Sequence, residues 1–304
     1  MELDGEETIA EIAAALTGLG HAVERVGRGA ELAHRLARGE RWDLVLNIAE
    51  GLHGRSREAQ VPALCEMFDQ PYTFSDPLTC AVTLDKAVAK RLVRDHGLPT
   101  APFVVIERAA DAEAVDLPTP LFIKPVAEGS SKGVDARSRI DHRADLPAAC
   151  AALLARFDQP VLVERHLPGR ELTAGILGNG AEARVVGLLE VCFRDGSDAA
   201  YTAINKAEFT TRCTYRLIDG EPLAVRACEV ALGAWHAFSC RDAARVDLRC
   251  DEHGEPCFLE INPLPGLHPV SSDLPILWRL AGHSYPDLLA QILDAAARRT
   301  GLWP

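Results

Sequence analysis

The chain has 304 residues, 48% of them apolar and 25% charged, with 23 Gly and 19 Pro. That is roughly two domains' length at ordinary globular composition, which excludes collagen-like, disordered and disulfide-stapled mini-protein classes. A formal charge of -12 argues against nucleic acid, whose binding rests on neutralising phosphates with a basic surface, but leaves a small anion compatible with a local positive pocket. The nine cysteines are scattered and never in a C-x-x-C pair, the pattern of reduced cytosolic thiols used as apolar filler. No run approaches the roughly 18 apolar residues of a membrane span. The acidic start MELDGEET lacks the layout of a signal peptide. The expected setting is the cytoplasm, without a membrane partner.

EETIAEIAAALTGLGH places Ile9, Ile12, Ala13, Leu16 and Leu19 at helical spacing, with Gly18 and Gly20 to stop the helix. HAVERVG reads as a short strand, ELAHRLARGE as a second helix, and DLVLNIAEG as a buried parallel strand. This alternation predicts an open parallel α/β sheet that lacks the first strand such sheets ordinarily begin with. EAQVPALCEMFDQ is the next helix, PYTFSDP a turn, and TLDKAVAKRLVRDHG a single helix closed by Gly97 and Pro99. The Pro-punctuated stretch around residues 75–80 marks a first boundary. PTAPFVVIE and PTPLFIKPV are strands around an acidic, Ala-rich segment, followed by the helix LPAACAALLARF and the strand PVLVERHL. PGREL marks a second boundary. Beyond it come the strands LTAGILG and ARVVGLLEV, a helix near EVALGAWHAF, the hairpin RVDLRCDEHGEPCFLEIN and a closing helix YPDLLAQILDAAARR.

The hairpin carries the sharpest chemical signal. Alternate strand residues face the same way, so Arg245, Asp247 and Arg249 share one side of RVDLR, and Phe258, Glu260 and Asn262 one side of FLEIN. The turn makes Asp247, Glu260 and Asn262 neighbours, three hard oxygen donors of the kind Mg²⁺ takes. A solvated hairpin face is the alternative. In LFIKPVAEGSSKGV an apolar strand delivers Lys124 into a loop, residues 128–133, whose glycines and hydroxyls suit a polyphosphate, although the Walker A order is absent. An ordinary hairpin loop is the alternative there. Lys124 sits in a strand that should be buried, and a buried ammonium requires an anion. Lys86 has the ordinary alternative of an exposed helix residue.

The order of these pieces, DK with Lys86, then IKP with EGSSKG, VERHLPGREL, RVDL and LEINPLPG, resembles the ATP-grasp enzymes and within them the D-alanine–D-alanine ligase group, over nearly the whole chain. The resemblance implies an N-terminal pre-ATP-grasp α/β domain (residues 1–78), a central lid subdomain (79–170) and a C-terminal catalytic subdomain (171–304). Carried over by position, it implies that Lys86 and Lys124 contact ATP phosphates and that Glu128, Ser130 and Ser131 belong to the loop closing over them. Glu164, with the backbone of Arg165 and Leu167, would meet adenine, and Glu171 the ribose. Lys206 would be the phosphate-binding lysine of a mobile loop. Asp247, Glu260 and Asn262 would hold two Mg²⁺ ions, with Mn²⁺ as a substitute. Arg245 and backbone N–H groups near Gly266 would stabilise an oxyanion.

The departures fall on the amino-acid half. The family's early Glu has only Glu6 or Glu7 as a loose counterpart, and these equally suit a helix first turn. The family's His-Gly is Glu50-Gly51, with His53-Gly54 as runner-up. The Tyr after the mobile-loop Lys is Ala207. Arg55 and Arg57 add positive charge, either for a carboxylate or as solvated loop residues. Ser272, with Ser271 one place away, matches the Ser that contacts the second substrate, or caps the turn that follows. The implied activity is ATP-dependent amide formation between amino acids or peptides through an acyl phosphate, in a homodimer. A nucleotide-binding regulatory protein without turnover is the alternative class, and a kinase-like or carboxylase-type use of the ATP site a third.

Overall fold

The computed structural model describes residues 5–129, 131–193 and 213–303. Two antiparallel sheets organise it. The first has strands β1 (Phe103–Ile106), β2 (Leu121–Pro125), β3 (Arg139–Ile140) and β4 (Val161–Arg165), in the order β1-β4-β2-β3. Its apolar face, Leu121, Ile123, Val161 and Val163, packs on Leu146 and Cys150 of helix α6 (Leu146–Phe157).

The second sheet has β5 (Glu171–Gly178), β6 (Arg184–Phe193), β7 (Cys213–Leu217), β8 (Asp242–Cys250) and β9 (Pro256–Asn262), in the order β7-β6-β5-β8-β9. β5 is buried from Leu172 to Leu177 because helices cover both faces. Leu172, Ala174 and Ile176 meet Ala227, Ala231 and Trp235 of α7 (Pro222–Ala237). On the other side, Leu177 joins a cluster with Leu274 of α8 (Asp273–Leu280) and Leu288 and Ile292 of α9 (Tyr285–Thr300). A Cβ on Gly175 would lie 2.8 Å from Leu274 Cδ1 and one on Gly187 2.7 Å from Leu277 Cδ2, so α8 sits directly on the backbone of β5 and β6. The strands expected beyond residue 100, the hairpin and the last two long helices are all present. α8, β3 and β7 were not foreseen.

The first 76 residues differ from the expected parallel sheet. α1 (Glu6–Gly18), α2 (Gly29–Ala37) and α3 (Gln60–Met67) form as predicted. HAVERVG is not a strand, since a strand needs a ladder partner and the described residues supply none. DLVLNIAEG contributes one parallel bridge, Val45 to Tyr72. Packing replaces the ladder. Ile12 and Leu16 join the cluster with Leu288 and Leu289, while Leu32, Leu36, Val61, Cys65 and Tyr72 form a second cluster. Asp242, fully buried, fastens the segment to the rest by accepting Phe74 N–H (2.7 Å), Asn179 Nδ2 (3.0 Å) and Arg299 Nη2 (2.8 Å).

The single helix expected over TLDKAVAKRLVRDHG is two, α4 (Pro77–Leu84) and α5 (Lys86–Asp95). Asp85 breaks it by taking an extended conformation, its Oδ1 accepting the N–H groups of Ala87 (3.1 Å) and Val88 (3.0 Å). The expected boundary near residues 75–80 falls at the start of α4, and the two helices pack apolar residues against elements of both sheets. No helix among the described residues is long and apolar enough to cross a membrane.

Candidate active site

The two sheets face each other across a cleft. From the first sheet and its loops come Phe122, Lys124, Glu128, Ser131, Lys132, Glu164, Arg165 and Leu167; from α5 and the second sheet come Lys86, Glu171, Thr173, Asp247, Arg249, Leu259 and Glu260. Ten residues singled out in the sequence thus line one cavity: Lys86, Lys124, Glu128, Ser131, Glu164, Arg165, Leu167, Glu171, Asp247 and Glu260.

Strand register brings the acids together. Asp247 pairs across the ladder with Glu260, and Arg245 with Asn262. The register shifts between Asp247 and Leu248, because Leu248 faces Phe258 and Leu259 is an extra residue. This corrects the expected side of Phe258, which lies fully buried in the core rather than beside Glu260. Two carboxylates placed opposite each other repel, and cations and donors compensate. Arg245 Nη2 lies 2.9 Å from Asp247 Oδ2 and Nη1 2.7 Å from Asp273 Oδ2. Thr173 Oγ1 donates to Asp247 Oδ1 at 2.9 Å, and Lys86 Nζ lies 3.2 Å from Glu260 Oε2. Burial would lower the Arg245 pKa, but Asp247, Asp273 and Glu260 raise it well above its ordinary value.

Lys86 is buried, not exposed, because its position just inside α5 aims it across the cleft, where Nζ also donates to the Glu128 carbonyl at 2.6 Å. Lys124 has the anion that a buried ammonium requires: Glu164 Oε1 at 2.7 Å, with Lys90 Nζ at 2.9 Å from the other carboxylate oxygen. Burial pushes the Glu164 pKa up, and Lys124 and Lys90 outweigh it and hold the carboxyl at about 2. Both oxygens of Glu164 therefore face lysines, and the Arg165 N–H is given to the Pro102 carbonyl at 2.9 Å. Glu171 Oε2 lies 3.2 Å from Arg249 Nη1. The loop after β2 folds back through Gly133 at φ +78°, where a Cβ would strike Pro125 at 2.6 Å. Ser130, Lys206 and Ala207 lie outside the described residues.

The amino-acid half is less gathered. Glu50 does not line the cleft. Glu6, exposed at the start of α1, pairs with Arg25. Ser272 precedes α8 without capping it, and its Oγ instead accepts the His268 N–H at 3.0 Å. Gly266 backs directly onto it, since a Cβ there would lie 2.8 Å from Ser272 Oγ. Arg55 and Arg57 differ: Arg55 is an exposed loop residue whose Nε lies 3.0 Å from Asp85 Oδ2, whereas the buried Arg57 donates to the Ala127 carbonyl at 2.9 Å. Lys90, Asp273, Thr173 and Leu259 were missed. A lysine within a helix and an acid at a helix start read as surface residues, so the sequence carries no sign of the first two.

Among the described residues no three His, Cys, Asp or Glu side chains gather as a metal cluster. The candidate donors are two carboxylates and an amide, whose Nδ2 lies 3.4 Å from Asp247 Oδ2. An all-oxygen set beside a cationic cleft is compatible with Mg²⁺, which keeps water and phosphate oxygens in its shell.

The family described as D-ala D-ala ligase C-terminus matches residues 92–294, two thirds of the chain. The chain belongs to the D-alanine–D-alanine ligase family. The D-alanine–D-alanine ligase of Gluconobacter oxydans is 36% identical over 94% of this chain and 91% of that protein. An uncharacterized protein of Sinorhizobium fredii, y4sG, is also 36% identical, over 84% of this chain and 75% of its own length. The crystal structure of D-alanine–D-alanine ligase from Bacillus anthracis complexed with ATP superposes with a TM-score of 0.75 at 21% identity, covering 99% of this chain and 96% of that one. The fold is thus ATP-grasp, and membership places the chain among the ATP-dependent ligases that form C–N bonds.

Proposed function

We propose that the protein joins a substrate carboxylate to a substrate amine through an acyl phosphate. The observation that carries this reading is the meeting, in one cleft, of Lys86 and Lys124 with the opposed pair Asp247 and Glu260 and with Arg245 beside them. A carboxylate oxygen attacks the γ-phosphorus of ATP, the bond to the β,γ-bridging oxygen breaks, and ADP leaves. The amine then attacks the acyl carbon, phosphate departs with the C–O bond, and the nitrogen loses a proton. The lysines neutralise charge spreading over the phosphates, and Arg245 faces the oxyanion, so positioning and electrostatics dominate. Asp247, Glu260 and Asn262 would hold Mg²⁺, which when bound screens the phosphate oxygens. Water must be kept from the acyl phosphate, which it would hydrolyse.

The finer assignments belong to the same proposal: Glu171 at the ribose, Arg165 and Leu167 at adenine, Gly266 and Ser272 at the second substrate, Glu50 at the first, and the division at residues 78 and 170. Free and mostly buried cysteines support a reducing cytoplasm, where small amino acids or peptides are the partners of a homodimer. Phosphate release from Mg-ATP over a panel of D- and L-amino acids and dipeptides tests the reading. Release should require both an acyl donor and an amine, and Glu260→Gln should abolish it. Nucleotide binding without turnover across the panel would establish a regulatory binder instead.

A further inference from the structure

Lys90 lies one turn along α5 from Lys86 and is 0% exposed. Its Nζ meets Glu164 Oε2 (2.9 Å), Thr100 Oγ1 (2.7 Å) and the Phe258 carbonyl (3.4 Å). It does not line the cleft, whereas Lys124, on the other oxygen of the same carboxylate, does. Burying an ammonium that never meets the ligand costs desolvation, and net charge gives a reason for it. Lys124 with Glu164 alone is a neutral pair, which attracts an anion only as a dipole. With Lys90 behind the carboxylate, the triad carries one net positive charge, in a medium where charges act at an effective dielectric of about 20.

We propose that Lys90 is a positioning residue that neutralises Glu164 from behind, so that the charge of Lys124 remains available to the phosphates of ATP. This rests on the reading that ATP phosphates lie against Lys124. Burial draws the Lys90 ammonium below the ordinary lysine range, and Glu164 opposes that shift. Glu164 therefore serves the triad through its charge.

Calorimetric titration of the full chain with ATP and with inorganic tripolyphosphate tests this on the unmodified protein, Lys90→Met, Glu164→Gln and the double variant, with melting curves to register folding. Lys90→Met should weaken both ligands about tenfold, roughly the effect of one charge removed behind the site. The double variant should regain all but about threefold of the affinity, because Lys124 again stands unopposed, a rescue that a merely structural lysine would not show. Glu164→Gln alone should bind tripolyphosphate at least as tightly as the unmodified protein, and this arm decides the matter if Lys90→Met does not fold. Unchanged affinity in folded Lys90→Met, a double variant no better than that single variant, or weaker tripolyphosphate binding by Glu164→Gln would each overturn the inference. An unmodified protein that binds neither ligand would instead remove the phosphate assignment itself.

Discussion

The cleft and the N-terminal quarter place charge by different means. In the cleft, ladders fix the register: Asp247 stands opposite Glu260, and buried charges are matched, Lys90 and Lys124 to Glu164 and Arg245 to Asp247 and Asp273. Among the described residues up to 76, pairing shrinks to one bridge. There, apolar helix faces and the buried Asp242 hold the chain, and Arg55 and Arg57 turn toward Asp85 and Ala127. Strand pairing thus dictates position in the cleft, and side-chain contacts dictate it in the N-terminal segment.

Four substitutions would break or sharpen this contrast. Asp242→Ala should be the most damaging to stability, by about 3–5 kcal/mol in chemical denaturation, since it strands the mostly buried Arg299 and frees the Phe74 N–H. A loss below about 1 kcal/mol would show that helix packing alone secures the N-terminal quarter. Asp247→Asn should lower phosphate release about 10²- to 10³-fold, the scale for removing one electrostatic contact at a reacting centre, with little change in melting temperature. Activity near that of the unmodified protein would detach the hairpin from the chemistry.

The third concerns pH. Glu164 is held at about 2, against an ordinary value near 4.5, by Lys124 on β2 and Lys90 on α5. Its stabilisation is therefore full above pH of about 4.5 and lost as pH falls through about 2, on the order of 3 kcal/mol over that window. Glu164→Gln should flatten the curve of stability against pH there, and an unchanged curve would show that the triad does not titrate with folding. The smallest effect is expected from Asp85→Ala, about 1 kcal/mol from a lost cap, read as a lower melting temperature. Loss of its partner Arg55 alone should cost less, because that guanidinium is largely exposed.

Much of the cleft was legible because period-two alternation and fixed spacing are properties of the sequence. Arg245, Asp247, Glu260 and Asn262 could be placed together before any fold was known. Phe258 could not, because the extra residue at Leu259 inverts the alternation and leaves no mark in composition. The break at Asp85 was hidden since an acid inside an amphipathic run looks like part of its polar face. HAVERVG has strand-like residues, yet propensity is weak where no ladder receives it. Lys90 was illegible for a deeper reason: its partner Glu164 is 74 positions away, and only tertiary packing creates the need for it.

The inserted Leu259 divides the β8–β9 hairpin into two pieces with separate duties. Cys257 and Phe258, on the turn side, answer to packing, whereas Glu260 and Asn262, past the insertion, answer to chemistry. An epitope spliced at His253 would therefore sit behind two paired positions, Arg249 with Cys257 and Cys250 with Pro256. It would offer a handle for immobilising working enzyme without disturbing the acids.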